Sequence, residues 1–258
     1  MVRPFLAVTY ALIIYAFIYL PVAILVLFSF QATRFPIPPF SGPSLRWYGA
    51  VLSDRRLIDG LWNSLAVAFA SSTAAALLGF LAAYALARHQ IIASPLWRAL
   101  LTAPLTVSYL IIGMGLLVLF NEAGFSKSLL SAGIGHVVIN MPLCFAIIYS
   151  QMGEHQANIE RAARDLGARE WQVLILITAP ILWPALFASF FLAMTFSWDE
   201  FVISFLLTRF DTTLPVEVWA LLRSGLNPKT NAIGSIVFLV SVVLVFIAEL
   251  VVLRRWRS

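Results

Sequence analysis

Charge is scarce in this sequence, and so are the side chains that carry most covalent and metal chemistry. Only 11% of its 258 residues are charged, where a soluble domain carries about 25%. A single cysteine, Cys144, excludes an intramolecular disulfide and any cysteine-cluster metal site. It lies in an apolar run, where a small buried hydrophobe is expected. The two lysines, Lys127 and Lys229, follow Ser126 and Pro228. A phosphate-binding loop needs glycine before its lysine and serine or threonine after it, so this chain cannot carry one. The three histidines, His89, His136 and His155, are far apart, with no His-Glu-x-x-His for zinc. No Gly-x-Ser-x-Gly elbow positions a serine nucleophile. An enzyme is therefore not expected, and any cofactor chemistry must reside on another protein.

What the chain has in abundance is apolar surface. Hydrophobic residues make up 61%, and mean hydropathy is +0.93, a composition for a bilayer. A spanning helix needs about 20 mostly apolar residues. Six segments qualify, near Phe5–Phe30, Leu61–Ala87, Ala99–Phe120, Leu129–Tyr149, Val173–Leu207 and Ala232–Leu253. The last contains sixteen Leu, Ile, Val or Phe residues. At about −0.4 kcal/mol each they favour insertion by roughly −6 kcal/mol. Leu129–Tyr149 is interrupted by Gly133, Gly135, His136, Asn140 and Pro142, which places it inside a bundle where neighbours cover its backbone. Leu61–Ala87 is rich in Ala and Ser and contains Gly79, as close helix–helix approach requires. The apolar stretch after Met1-Val2-Arg3-Pro4 exceeds the roughly 7–15 residues of a signal-peptide core, and reads as a retained first helix. The expected fold is an all-α membrane protein, one domain over residues 1–258, built as a bundle of about six transmembrane helices.

The net charge of +5 sits beside the apolar runs, at Arg88, Arg98, Arg254, Arg255 and Arg257. That placement suits headgroup contact rather than nucleic acid. Nine basic residues fall on one side of the six-span topology and eight on the other, so orientation rests on the Arg254-Arg255-Trp256-Arg257 tail. It puts both termini in the cytoplasm. The outer connections, Gln31–Gly60 and Thr208–Asn231, are the longest polar stretches, the first opening on the proline-rich strip Phe35–Phe40.

The inner loop, about 150–171, is the informative one. Ile159, Ala162, Ala163 and Leu166 fall at i, i+3, i+4 and i+7 on one helix face, with Glu160, Arg161, Arg164 and Asp165 on the other. Gly167 follows where a residue able to take positive φ would end the helix. A second helix then starts near Ala168. An amphipathic helix with two alanines on its apolar face suits close docking into another protein's groove. A helix lying on headgroups calls for bulkier Trp, Phe or Leu.

Arg161-Ala162-Ala163, three residues, Gly167, nine residues, then Ile177-Thr178-Ala179-Pro180 resembles the cytoplasmic EAA loop of bacterial ABC-importer permeases. That motif reads Glu-Ala-Ala, three residues, Gly, nine residues, Ile-x-Leu-Pro. Arg161 replaces its glutamate and Ala179 its leucine, while Glu160 lies one residue earlier. Arg46-Trp47-Tyr48, Leu61-Trp62-Asn63-Ser64-Leu65, Ser197–Ser204 and Thr213–Trp219 are similar to the second permease of spermidine/putrescine importers. Permeases for aminophosphonates and opines share much of the pattern. The resemblance implies a cytoplasmic coupling helix docking an ATPase through Glu160, Arg161, Ala162, Ala163, Gly167, Ile177 and Pro180. It further implies a bacterial inner-membrane assembly of two permeases, usually non-identical, two ATPase subunits holding ATP and Mg, and a periplasmic binding protein. The implied solute is a polyamine or another small amino-bearing molecule.

Asp199 and Glu200 interrupt an apolar stretch between Trp198 and Phe201. Charges at the bilayer centre cost about 2.5–3.5 kcal/mol, so such residues are paired, solvated or functional. Either they line a vestibule for a cationic solute, with Trp198 or Phe201 adding cation–π contact, or they cap a broken helix or pair with Arg209 or Arg223. His136 either relays protons or packs between helices, bonded to a carbonyl. A proton-coupled carrier or channel would explain the spans and acids, but gives no role to the helix ended by Gly167.

Overall fold

The computed structural model describes residues 2–36, 38–225 and 227–256. Met1, Ile37 of the proline-rich strip and Arg257 of the basic tail lie outside the described residues. Among the described residues thirteen α-helices follow in order: α1 (Val2–Ser29), α2 (Arg46–Leu52), α3 (Arg55–Arg88), α4 (Ser94–Thr102), α5 (Tyr109–Glu122), α6 (Leu129–Ser150), α7 (Glu154–Asp165), α8 (Glu170–Gln172), α9 (Ala179–Ile181), α10 (Trp183–Trp198), α11 (Val202–Leu207), α12 (Leu214–Arg223) and α13 (Pro228–Trp256). Four of them, α1, α3, α6 and α13, are long and apolar enough to cross a membrane singly. Two further bent pairs of helices are long and apolar enough together, each as a broken span or a re-entrant loop. Ser94–Thr106 meets Tyr109–Glu122 at 105°, and Glu170–Ile181 meets Trp183–Trp198 at 73°.

The first break interrupts the span expected over Ala99–Phe120, and the second falls within Val173–Leu207, where Pro180 and Pro184 are expected to kink the helix. In the first, Pro104 sits in a 3₁₀ turn over Ala103–Thr106, and the Ser108 hydroxyl accepts from the Leu110 N–H, at 3.3 Å, to start α5. In the second, the bend falls at Leu182, with Pro184 in the first turn of α10; a proline has no N–H to continue an α-helical ladder, and a π-helical turn over Val173–Thr178 lies upstream, before Pro180. The helix after the loop begins at Glu170 rather than near Ala168.

By contact the chain falls into two compact units, Met1–Ile58 with Glu217–Val243, and Asp59–Val216 with Leu244–Ser258. In the first, the Trp47 indole N–H donates to the Gln31 carbonyl at 2.8 Å, and Ser29 and Tyr48 share a hydrogen bond of 2.7 Å. The Lys229 ammonium meets the Asp54 carboxylate at 2.6 Å. The most apolar stretch of α1 has no buried residue in the isolated chain, although it is hydrophobic on all sides.

The second unit holds the core. Helix α6 packs against α10, α11 and α5, and ten of its residues are buried, including His136, Asn140 and Cys144. The interrupted span is thus interior, because only there do neighbours cover its polar side chains. Gly79 on α3 explains how two spans come so close: a Cβ there would lie 2.8 Å from the Phe145 nitrogen and 2.9 Å from the Cys144 Cβ. Anything larger would force α3 from α6.

Candidate functional site

Helix α7 lies between spans and is amphipathic in an unusual sense. Its apolar face points outward: Leu166 is 90% exposed, Ile159 and Ala162 are also exposed, and Ala163 is half-buried. Of the charged residues, Glu160 and Arg164 turn inward, while Arg161 and Asp165 stay exposed. Glu160 is completely buried, and Arg88 at the end of α3 approaches it by Nε to Oε2 at 2.6 Å and by Nη2 to Oε1 at 3.3 Å. The Thr178 hydroxyl donates to the same carboxylate at 3.0 Å. Arg88 also donates to the Met152 carbonyl at 3.3 Å. Glu160 is therefore corrected from a docking residue to an internal strut, because its position about 100° from Ile159 faces α3 and the π-helical turn. The glutamate anchors the platform from beneath.

A second polar layer lies one turn away. Arg164 grips Glu170 in a fork, Nε to Oε2 at 3.0 Å and Nη2 to Oε1 at 3.1 Å, and donates to the Tyr84 hydroxyl at 3.0 Å. Tyr84 in turn donates to Glu170. The Glu170 carboxylate raises the already high pKa of the Arg164 guanidinium further. Beside these layers is a cleft of about 600 Å³, walled by Arg88, Arg161 and Arg164 with Glu154 and Glu170.

Arg161 is on the exposed side, bonded to Asn158 at 2.6 Å and Glu154 at 3.2 Å. Gly167 has φ +90, the left-handed region predicted for it. Its N–H donates to the Arg164 carbonyl at 2.9 Å, and the Ala168 N–H to the Ala163 carbonyl at 3.0 Å. That paired closure is a Schellman motif, which satisfies the last carbonyls of α7. Ile177 is half-buried and Pro180 exposed in the following turn. The structure thus brings Arg161, Ala162, Ala163 and Gly167 together on one exposed surface. Sequence reasoning missed Arg88, Tyr84, Thr178 and Glu170 as its supports. Seventy-two residues separate Arg88 from Glu160, and no local pattern links them.

At the far end of α10 the chain breaks over Asp199–Phe201. Trp198 is only 2% exposed, which corrects its placement as a pathway-lining residue. Glu200 is also largely buried, and its Oε1 accepts from the Ile203 N–H at 2.7 Å, capping α11. Neither acid has an ion pair with Arg209 among the described residues; that guanidinium stands over the Phe210 ring, 4.9 Å from its centroid. Asp199 is exposed, and Phe201 is half-buried with its ring 5.3 Å from Phe205. The pair thus divides: one acid holds the helix, the other faces out.

Residues 75–257 match the family described as binding-protein-dependent transport system inner membrane component. The spermidine/putrescine transport system permease protein PotC of Escherichia coli (strain K12) is 30% identical over 239 residues, 92% of this chain and 90% of that protein. The putrescine transport system permease protein PotI of the same organism is 34% identical over 231 residues, 86% of this chain and 82% of that protein. Among solved structures, a bacterial ABC transporter involved in the import of the acidic polysaccharide alginate superposes with a TM-score of 0.71. It is 18% identical and covers 98% of this chain and 96% of its own, a shared fold. The chain belongs to the family of binding-protein-dependent transport system inner membrane components: it is a membrane-spanning permease, not an enzyme.

Proposed function

We propose that this permease forms half of the translocation pathway of an ATP-driven importer for a small cationic solute of the polyamine class. The observation that carries the docking half of this reading is the outward apolar face of α7, ended by Gly167 and braced from beneath by Glu160 and Arg88. A helix held rigidly by buried charge, yet left with small apolar residues bare, is suited to receive a groove on another chain. In this reading Arg161, Ala162, Ala163 and Gly167 meet the ATPase, and Ile177 and Pro180 shape the turn behind them. ATP and Mg bind the two ATPase subunits, not this chain. A second, non-identical permease completes the pathway, and a periplasmic binding protein delivers solute. Both termini then lie in the cytoplasm, on the side of α7.

The solute class is supported by the identity of 30–34% over most of the chain to permeases for spermidine and putrescine, and by the exposed carboxylate of Asp199. An ammonium about 4 Å from a carboxylate in a partly hydrated mouth gains up to about 4 kcal/mol before desolvation. ATP closes the ATPase pair, and the docked helices pass that motion to the bundle, a two-state element biased by a ligand on another subunit. The test is uptake of labelled putrescine and spermidine into proteoliposomes holding the complete complex. ATP-dependent accumulation that also requires the binding protein is expected. Accumulation of an aminophosphonate or opine instead would move the solute class, and accumulation without the ATPase would overturn the importer reading.

A further inference from the structure

The span that carries the acidic pair is discontinuous, and one side chain from a neighbouring helix bridges the gap. His136, on α6, is 1% exposed. Its Nδ1 lies 2.5 Å from the Ser197 hydroxyl, in the last turn of α10, and its Nε2 lies 3.1 Å from the Ser204 hydroxyl, in the first turn of α11. These contacts replace the carbonyl bond expected from sequence. A neutral imidazole donates from one nitrogen and accepts at the other, and serine hydroxyls can do either. Both bonds are therefore satisfied without a buried charge. Ser71 of α3 extends the network, 3.0 Å from Ser197, so the bonds centred on His136 link four helices. Both nitrogens end on serines, which leaves no carboxylate or second imidazole next in line for a proton.

Other contacts hold α11 as well. A Cβ at Gly135 would lie 2.5 Å from Ile203, and one at Gly113 2.7 Å from Leu206. Glu200 caps its start, and the Ser128 N–H closes its end on the Leu207 carbonyl at 2.9 Å. The one acid not consumed by this scaffold is Asp199, exposed in the break between the two bridged serines.

We propose that His136 is a positioning residue for transport: by tying Ser197 to Ser204 across the break, it sets where the Asp199 carboxylate stands. This rests on the reading that Asp199 meets a cationic solute, so the test has one arm that does not depend on the solute. In the complete complex, Asp199→Cys is modified by a charged thiol reagent, with Cys144 fully buried and silent. His136→Leu is expected to change that modification rate about tenfold, the scale of losing two hydrogen bonds within a helical bundle. It is also expected to raise the KM for putrescine about tenfold, with the maximal rate per intact complex changed less than about twofold. His136→Gln offers both serines a donor and an acceptor and should restore both readouts. If His136→Leu does not assemble, Ser204→Ala removes one end of the bridge and gives the same measurements. An unchanged modification rate overturns the proposal. So does a KM rise that is just as large when Asp199 is already Asn, since residues acting through one another are non-additive. Absence of cation uptake by the unmodified complex would refute the solute reading alone, and the modification rate would still decide the bridge.

Discussion

Replacing Glu160 with Gln tests whether the platform beneath α7 is held by charge. The perturbation keeps the shape and the Thr178 contact but leaves Arg88, only 9% exposed in its side chain, facing a neutral amide. At 2.6 Å and an effective dielectric near 20, the direct attraction is about 6 kcal/mol. Desolvation of the two ions offsets several kcal/mol per ion, so the intact pair contributes little net stability. Removing one partner is different, because the desolvation of the other remains. The guanidinium retains its carbonyl partners at 3.3 and 3.5 Å, Met152 and Gly153, which recovers part of the loss. A cost of about 3 kcal/mol is expected for Glu160→Gln, the low end for a broken buried pair, which raises the open population of α7 by roughly 150-fold. Hydrogen exchange of the α7 amides, read by mass spectrometry on the purified permease, measures that opening. Arg88→Met combined with Glu160→Leu removes both charges and should exchange much closer to wild type. Wild-type exchange in Glu160→Gln, or the double variant opening as far as the single, would refute the argument that an orphaned charge sets the cost.

Three further outcomes follow from the same geometry. Ala163→Asp places a carboxylate on the face proposed to dock the ATPase, at a cost of several kcal/mol once covered; normal membrane insertion with loss of the ATPase on co-purification is expected. Gly167→Val should cost at least about 1 kcal/mol from its positive φ, a strain within its own backbone, since nothing more distant lies within 4 Å of an added Cβ; residual ATPase activity with little uptake is the signature, while Gly167→Asn, which tolerates that region, should transport better. The Lys229 ammonium holds the Asp54 carboxyl below its usual range, so this pair stabilises the fold above the unfolded carboxylate pKa and is lost as pH falls through the depressed one. Melting curves of wild type and Asp54→Asn should differ by about 0.5–1 kcal/mol near neutral pH and converge in acid.

The spans were legible because hydropathy is summed over many residues, and a run such as Ala232–Leu253 admits no other solvent. Breaks within spans were legible only in part: Pro180, Pro184 and the acidic pair marked the second, whereas the break at Pro104 and Ser108 was not seen. Both sit in a run whose apolar weight hides a 105° turn. The end of α7 was legible because a glycine after an amphipathic repeat has a local conformational cause. The direction of its faces was not. Periodicity separates Glu160 from Ile159, but only tertiary packing decides which side turns inward, and the usual rule of apolar inside fails here because Arg88 and Thr178 supply a buried partner for the charge. For Asp199 and Glu200 the alternatives of cap and vestibule were both visible. Neighbours in sequence proved to do different things, since the capping geometry at Ile203 accepts only one of them.

Leu166 stands nine-tenths bare on a polar loop between two apolar spans. Burying such a side chain is worth about 1.5–3 kcal/mol, which remains unrealised in a lone subunit. A copy synthesised in excess of its partners therefore displays a signal of incompleteness at a site accessible to proteases and chaperones. The surface that suits assembly also links the lifetime of the subunit to it, so that cellular abundance is expected to follow the stoichiometry of the whole complex rather than the rate of translation of this chain.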